Sequence, residues 1–346
     1  MINNRKVGPG YRTYIVAEMS ANHCQKYELA VSIINAAKNA GADAIKLQTY
    51  TADTMTLPVK NDYFKVKGTL WQGRYLYDLY KEAYTPWEWH PKLKKIADEI
   101  GIDIFSTPFD ETAVDFLEKI DMPVFKIASF ELIDIPLIEK IAKKGKPIIL
   151  STGMATISEI EEAVKAIRKN GNEQLMLLKC NSAYPAPVEE MNLKTIEHLS
   201  KAFNVPVGLS DHTIGSEIAI AAVTLGACMI EKHFTISRDL GGPDALFSAN
   251  PDEFKNMVES IRRTEKALGC ISYEPTIKEI ESRRYRRSIF AVSDIEEGNE
   301  INENNIRSIR PADGMHPRYM PDIIGYRAVK KIARGTPLSW NMITSK

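Results

Sequence analysis

The chain is short of several things at once, and each shortage removes a class of protein. Among its 346 residues are only four cysteines, Cys24, Cys180, Cys228 and Cys270. They form no CxxC pair and no metal-knuckle spacing, so neither a disulfide framework nor a structural zinc site is encoded. Three of the four lie among apolar residues, which suits reduced, packed thiols and a cytoplasmic protein. An excess of either charge is also missing: 45 basic residues balance 45 acidic ones, so no net field draws the chain to nucleic acid or to an anionic membrane. No run approaches the roughly 18 apolar residues of a membrane span, and the opening MINNRKVGPGYRTY has no apolar stretch of signal-peptide length. Disorder is excluded as well, because 44% hydrophobic and 26% charged residues are the balance of a globular protein with a full core.

What the chain does have is a rhythm. Eight short apolar runs, YIVAEMS, DAIKLQTY, DIFSTPF, VFKIASFE, PIILSTGM, LMLLKCNSAYP, PVGLSDHT and CMIEKHFT, are separated mostly by segments with helical spacing, such as ELAVSIINAAKNAGA and ISEIEEAVKAIRKNG. Continuous apolar character in strands this short implies burial on both faces, as in parallel strands under crossover helices. Eight such units predict a closed (β/α)8 barrel. An open doubly wound sheet is the alternative, but no GxGxxG turn follows the first run. A long insertion, roughly 51–85, breaks the rhythm and reads either as a lid over the barrel mouth or as a small satellite core. These signals assign 1–275 to the barrel and 276–286, rich in arginine but without aromatic platforms, to a solvated linker. A small β-rich domain is expected over 287–346, with turns at Glu297-Gly298, Asp313-Gly314 and Arg334-Gly335.

Chemistry in such a barrel sits at the C-terminal ends of the strands. Those ends carry Glu18, Lys46, Gln48, Thr107, Lys126, Ser129, Glu131, Ser151, Ser182, Tyr184, Ser210, His212, Glu231 and His233. Two lysines among hydroxyls suit a phosphate and a carboxylate; the competing reading pairs Lys46 and Lys126 with Glu18, Glu131 or Glu231 in a structural network. His212 and His233, at the ends of consecutive strands, have the placement for two imidazoles to grip one divalent ion while leaving positions for water or substrate. His23, His90, His198 and His316 carry no ligand assignment, although His23 could line the pocket.

The motifs AEMSANH, DAIKLQTYTADTMTL, FSTPFD, KIASFE, LSTGMAT, YPAP, GLSDHT and EKHFT resemble the sialic acid synthase family. That family condenses phosphoenolpyruvate with an N-acetylated amino sugar to give nonulosonic acids. The tail segments RSIFAVSDIEEG and IRPADGMHP resemble its antifreeze-like (SAF) domain, so the resemblance covers nearly the whole chain. AEMSANHCQ near the start and GGPDALFSANPDEF later resemble the pseudaminic branch, which uses 2,4-diacetamido-2,4,6-trideoxy-L-altrose; the N-acetylneuraminate and legionaminate branches are the alternatives.

By that resemblance, Lys46, Thr107, Lys126, Ser129, Ser151, Ser182 and Ser210 would hold phosphoenolpyruvate. His212 and His233 would bind manganese, with magnesium or cobalt as substitutes. Glu18 would hold a water on that ion, and Glu18 or Glu131 would act as base. Gln48, Tyr184 and Asp244 would contact the sugar, and Arg310 would reach into a partner's barrel in a domain-swapped homodimer. A metal-dependent aldolase or hydrolase would share the barrel but would not couple phosphate release to phosphoenolpyruvate. An ice-binding role for the tail lacks the flat repeated threonine face it would need.

Overall fold

Side chains in a strand point alternately to its two faces, and here that alternation builds two distinct apolar cores. The computed structural model describes residues 1–3 and 5–345. Its first eight strands are β1 (Tyr14–Glu18), β2 (Ala44–Thr49), β3 (Asp103–Pro108), β4 (Phe125–Ile127), β5 (Ile148–Ser151), β6 (Leu175–Cys180), β7 (Val207–Asp211) and β8 (Met229–His233). They close in sequential order, β8 pairing back onto β1, with all neighbours parallel. The closed barrel excludes the open-sheet alternative. One face of the strands, with Ile15, Ala17, Ile45, Leu47, Ile104, Leu150, Leu177, Leu209 and Ile230, packs against the surrounding helices. The other face fills the barrel with Tyr14, Val16, Ala44, Phe105, Val124, Ile149, Met176, Leu178 and Met229.

The helices form for local reasons. Helix Tyr27–Asn39 buries Ala30, Ile33, Ile34 and Ala37, one stripe at helical spacing. Helix Ile157–Lys169 opens with Thr156 and Glu159 in a reciprocal capping box. No helix among the described residues is long and apolar enough to cross a membrane.

The chain divides into two compact units, Met1–Gly269 and Cys270–Lys346. The second contains two small antiparallel sheets, β9 (Ser288–Ala291) with β10 (Ile306–Ile309) and β11 (Arg327–Ala328) with β12 (Ile343–Thr344). Ile289, Ile295, Ile301, Ile306, Ile323, Ile332 and Leu338 belong to its core. The segment read as a linker, 276–286, contains a capped helix, Ile277–Ser282, which starts at Thr276 with Glu279 closing the cap.

Gly208 of β7 faces the barrel interior where there is no room for a side chain. A Cβ there would lie 2.6 Å from the Met229 carbonyl oxygen and 2.7 Å from Leu178 Cδ2. Gly208→Ala is therefore expected to lower the unfolding free energy of the barrel by about 1–3 kcal/mol, the usual cost of overpacking. Urea denaturation followed by circular dichroism measures it, and an unchanged midpoint would refute the packing account.

Candidate active site

Two residues beyond the last small or apolar interior position of each strand, the same face turns polar. Val16 is followed by Glu18, Ala44 by Lys46, Phe105 by Thr107 and Val124 by Lys126. Ile149 is followed by Ser151, Leu178 by Cys180, Gly208 by Ser210 and Met229 by Glu231. The result is a stepped ring of eight buried side chains, one from each strand, lying on the apolar plug.

Charge binds the ring together. Lys46 Nζ lies 2.7 Å from Glu18 Oε2 and 3.6 Å from Glu231 Oε1, while Lys126 Nζ lies 3.8 Å from that same Glu231 oxygen. Lys46 also donates to Thr107 Oγ1 at 3.3 Å, Lys126 to Ser151 Oγ at 2.7 Å, and Ser210 Oγ to Glu231 Oε1 at 3.2 Å. Both lysines are thus paired with carboxylates, as the competing sequence reading allowed, and Glu231, read from sequence only as a possible counter-ion, is the shared partner. Burial pushes Glu231 up, but Lys126, Lys46 and His212 outweigh it and hold the carboxyl below its ordinary value. Burial wins at Glu18, raising it to about 7 against the pull of Lys46, and at Lys126, whose ammonium is lowered despite Glu231.

The histidines meet at the rim, with ring centroids 5.4 Å apart. His212 Nδ1 is 2.7 Å from the Asn181 carbonyl oxygen. A carbonyl only accepts, so Nδ1 carries the proton and Nε2 is left to bind a proton or a cation. Cys180 Sγ lies 3.8 Å from that ring. Against burial, it holds His212 above its ordinary value, and His212 in turn draws the Cys180 thiol down to about 7 although burial opposes this. Cys180 is therefore a member of the polar ring, whereas the sequence suggested a packed thiol. Burial keeps His233 well below its ordinary value, and its Nδ1 has no partner. Two imidazoles with available lone pairs fit a divalent cation. Among the described residues no cluster of three or more His, Cys, Asp and Glu has metal-binding geometry, so other ligands to such an ion would be water or substrate.

The remaining candidates surround this centre. The Gly153 amide donates to Ser129 Oγ at 3.0 Å. A Cβ on Gly153 would sit 2.2 Å from Ser182 Oγ and 2.7 Å from Ser129 Oγ, so the missing side chain is what lets serines from two loops converge. Gln48 donates to Glu18 Oε1 at 2.9 Å and to Ser20 Oγ at 3.0 Å, and Ser20 donates to Asp244 Oδ2 at 2.5 Å. The Tyr184 ring packs against His212 and Phe247, with centroids at 4.4 and 5.1 Å. From the 51–85 insertion, Trp71 lies beside Tyr184 at 5.9 Å and donates its indole N–H to the Pro243 carbonyl at 2.9 Å. Ser20, Asn181 and Trp71 escaped the sequence reading, because a loop residue shows its partner only once the loop is folded. Arg310 belongs to the second unit, exposed just after β10.

Of seven buried side-chain polar atoms without a hydrogen-bond partner among the described residues, one is Glu18 Oε2, which has the Lys46 ammonium as its ion-pair partner, and three more lie on Glu131, Glu231 and His233. Unsatisfied buried groups are rare in native proteins, and their concentration here marks a site built to receive something.

Comparison with known proteins agrees with the two-part fold. The NeuB family model matches residues 33–273 and the SAF domain model residues 286–344. Pseudaminic acid synthase of Helicobacter pylori is 48% identical over 94% of this chain and 96% of its own length. N,N'-diacetyllegionaminic acid synthase of Legionella pneumophila is 37% identical over 99% of both. The crystal structure of N-acetylneuraminic acid (sialic acid) synthetase from Leptospira borgpetersenii superposes with a TM-score of 0.73 at 35% identity, covering 82% of this chain and 94% of that one.

Burial also raises Glu131, from 4.5 to about 7. The folded state then holds a proton that the unfolded state has released, so stability falls as pH rises from about 4.5 to about 7. Glu131→Gln is expected to match the wild type near pH 4 and to exceed it at about pH 8 by up to about 3 kcal/mol. Urea titrations at the two pH values provide the comparison, and parallel losses in both proteins would refute the assignment.

Proposed function

The chain belongs to the NeuB family, and from that premise we propose that it is a pseudaminic acid synthase. It would join phosphoenolpyruvate to 2,4-diacetamido-2,4,6-trideoxy-L-altrose and water, releasing pseudaminic acid and phosphate by carbon–oxygen cleavage. The observation that carries the reading is the stepped ring, in which Lys46 and Lys126 stand among Thr107, Ser151 and Ser210 beside the paired histidines. The branch is supported by the 48% identity to the Helicobacter enzyme against 37% to the Legionella one.

In this reading Lys46 and Lys126 neutralise the phosphate and carboxylate, and the hydroxyls of Thr107, Ser129, Ser151, Ser182 and Ser210 supply directional donors. Bound between His212 and His233, a divalent cation, manganese in our reading, would act as a Lewis acid on the open-chain sugar aldehyde. Gln48, Tyr184 and Asp244 orient the sugar so that its aldehyde carbon meets the methylene carbon of phosphoenolpyruvate. As that carbon–carbon bond forms, positive charge develops at the carbon bearing phosphate, where a water adds. Glu18 and Glu131, both raised to about 7, are suited to take the proton from that water. The tetrahedral carbon then expels phosphate, whose departing charge the lysines stabilise.

We also propose that the partner subunit's Arg310 completes this site. Phe130, Ile133, Met154, Ile214 and Leu246, from loops that follow the strands, are exposed apolar residues, a surface of the kind that a second copy would cover.

Two experiments test these readings. Phosphate release from phosphoenolpyruvate with manganese is expected with the altrose and not with N-acetylmannosamine. Release with N-acetylmannosamine or the legionaminate precursor alone would overturn the branch, and release with none of the three would overturn the reaction. For the shared site, Arg310→Ala and His233→Ala subunits, each inactive alone, are expected to regain activity when mixed; no recovery would argue against sharing.

A further inference from the structure

The helix-facing positions of β7 and β8 are apolar at Leu209 and Ile230. One step along each strand, the same layer holds Asp211 and Lys232, register partners whose side chains are 0% and 4% exposed. Lys232 Nζ lies 2.7 Å from Asp211 Oδ2 and donates to the Thr213 carbonyl oxygen at 2.5 Å. Asp211 Oδ1 accepts from the Thr213 amide at 3.0 Å and from the Thr213 hydroxyl at 2.7 Å. A buried ion pair is a weak source of stability compared with apolar residues of the same volume, but it is intolerant of displacement. Its position therefore carries information. Residues 211 and 213, which flank His212, are both tied to Lys232, which precedes His233.

We propose that Asp211, Lys232 and Thr213 form a latch on the outer face of the barrel wall that fixes the separation and aim of the two imidazoles on its inner face. The latch thereby sets the affinity of the histidine pair for a divalent cation. Asp211 and Lys232 are positioning residues, since they act through the backbone of their neighbours. The proposal rests on the reading of His212 and His233 as the metal pair.

The test is Mn2+ binding to the purified full chain without substrates, read as free Mn2+ by electron paramagnetic resonance. Replacing the pair together, Asp211→Leu with Lys232→Met, removes the latch without leaving a lone buried charge. This variant is expected to keep a melting temperature within about 3 °C of the wild type and to bind Mn2+ about 10–100-fold more weakly, the usual effect of losing a group that orients a metal ligand. Wild-type affinity in the folded double variant overturns the latch alone. If that variant does not fold, Asp211→Asn keeps the shape of the side chain and an oxygen to accept from Thr213, but loses the charge and the acceptor that face Lys232, and is expected to weaken binding about three-fold or more. Unchanged affinity there also overturns it. A wild-type chain that fails to bind Mn2+ overturns both the metal reading and the latch.

Discussion

Four ionisable side chains that are almost out of reach of water, Glu18, Lys46, Lys126 and Glu231, face one another across the barrel, and the rest of the site depends on their mutual neutralisation. Each alone would cost several kcal/mol to bury as an ion. Together they carry no net charge, and Lys46 and Glu231 each serve two opposite partners. Their burdens are unequal. Glu231 receives enough positive charge to stay ionised, whereas Glu18 is poised at about 7 and Lys126 is weakened as an ammonium. An anion entering this ring favours a full charge on Lys126. The network is therefore both a folded-state requirement and a charge store that shifts toward positive when a negative group arrives.

The barrel supplies this ring through a simple geometric rule. Interior positions are apolar up to one level and polar beyond it, and the change occurs on all eight strands. The apolar plug beneath excludes water from the carboxylates, which is why burial dominates the behaviour of Glu18. The outward face is apolar along most of its length, where the helices pack, with the Asp211–Lys232 pair at the ends of β7 and β8 as an exception, so the residues of the ring turn to the barrel axis.

This division explains what could be read in the sequence. Eight strands were legible because both faces are covered and the apolar runs are continuous; the order of closure followed from the count. Lys46, Lys126, His212 and His233 were legible as polar residues where packing alone would choose aliphatic ones. The inward alternation was hidden by the same continuity that revealed the strands, so Cys180 looked like any small buried residue and Glu231 like a spare counter-ion. Gly153 gave no sign of its place between Ser129 and Ser182, since a close approach of three loops is a tertiary fact. The insertion announced itself by length alone; that Trp71 reaches Pro243 and Tyr184 depends on how its chain folds back. The helix at Ile277–Ser282 was concealed in a stretch whose charge suggested solvent and little order.

At the end of β7 two kinds of electrostatics meet on opposite faces of the same strand. Outside, Asp211 and Lys232 satisfy one another fully and leave nothing for a ligand. Inside, His212 lies between Cys180, which draws positive charge toward the ring, and a burial that resists it. The Asn181 carbonyl holds the proton on Nδ1, so whatever positive charge the pocket attracts must settle at Nε2. In the proposed metal reading a divalent cation would compete with a proton for that one atom, and negative surroundings that favour the proton would favour the cation more strongly because its charge is double. In that reading His233, kept neutral by burial and lacking a partner at Nδ1, would tip the balance toward the cation. A proton on His212 gains nothing from a second neutral imidazole nearby, whereas a divalent cation gains a second lone pair.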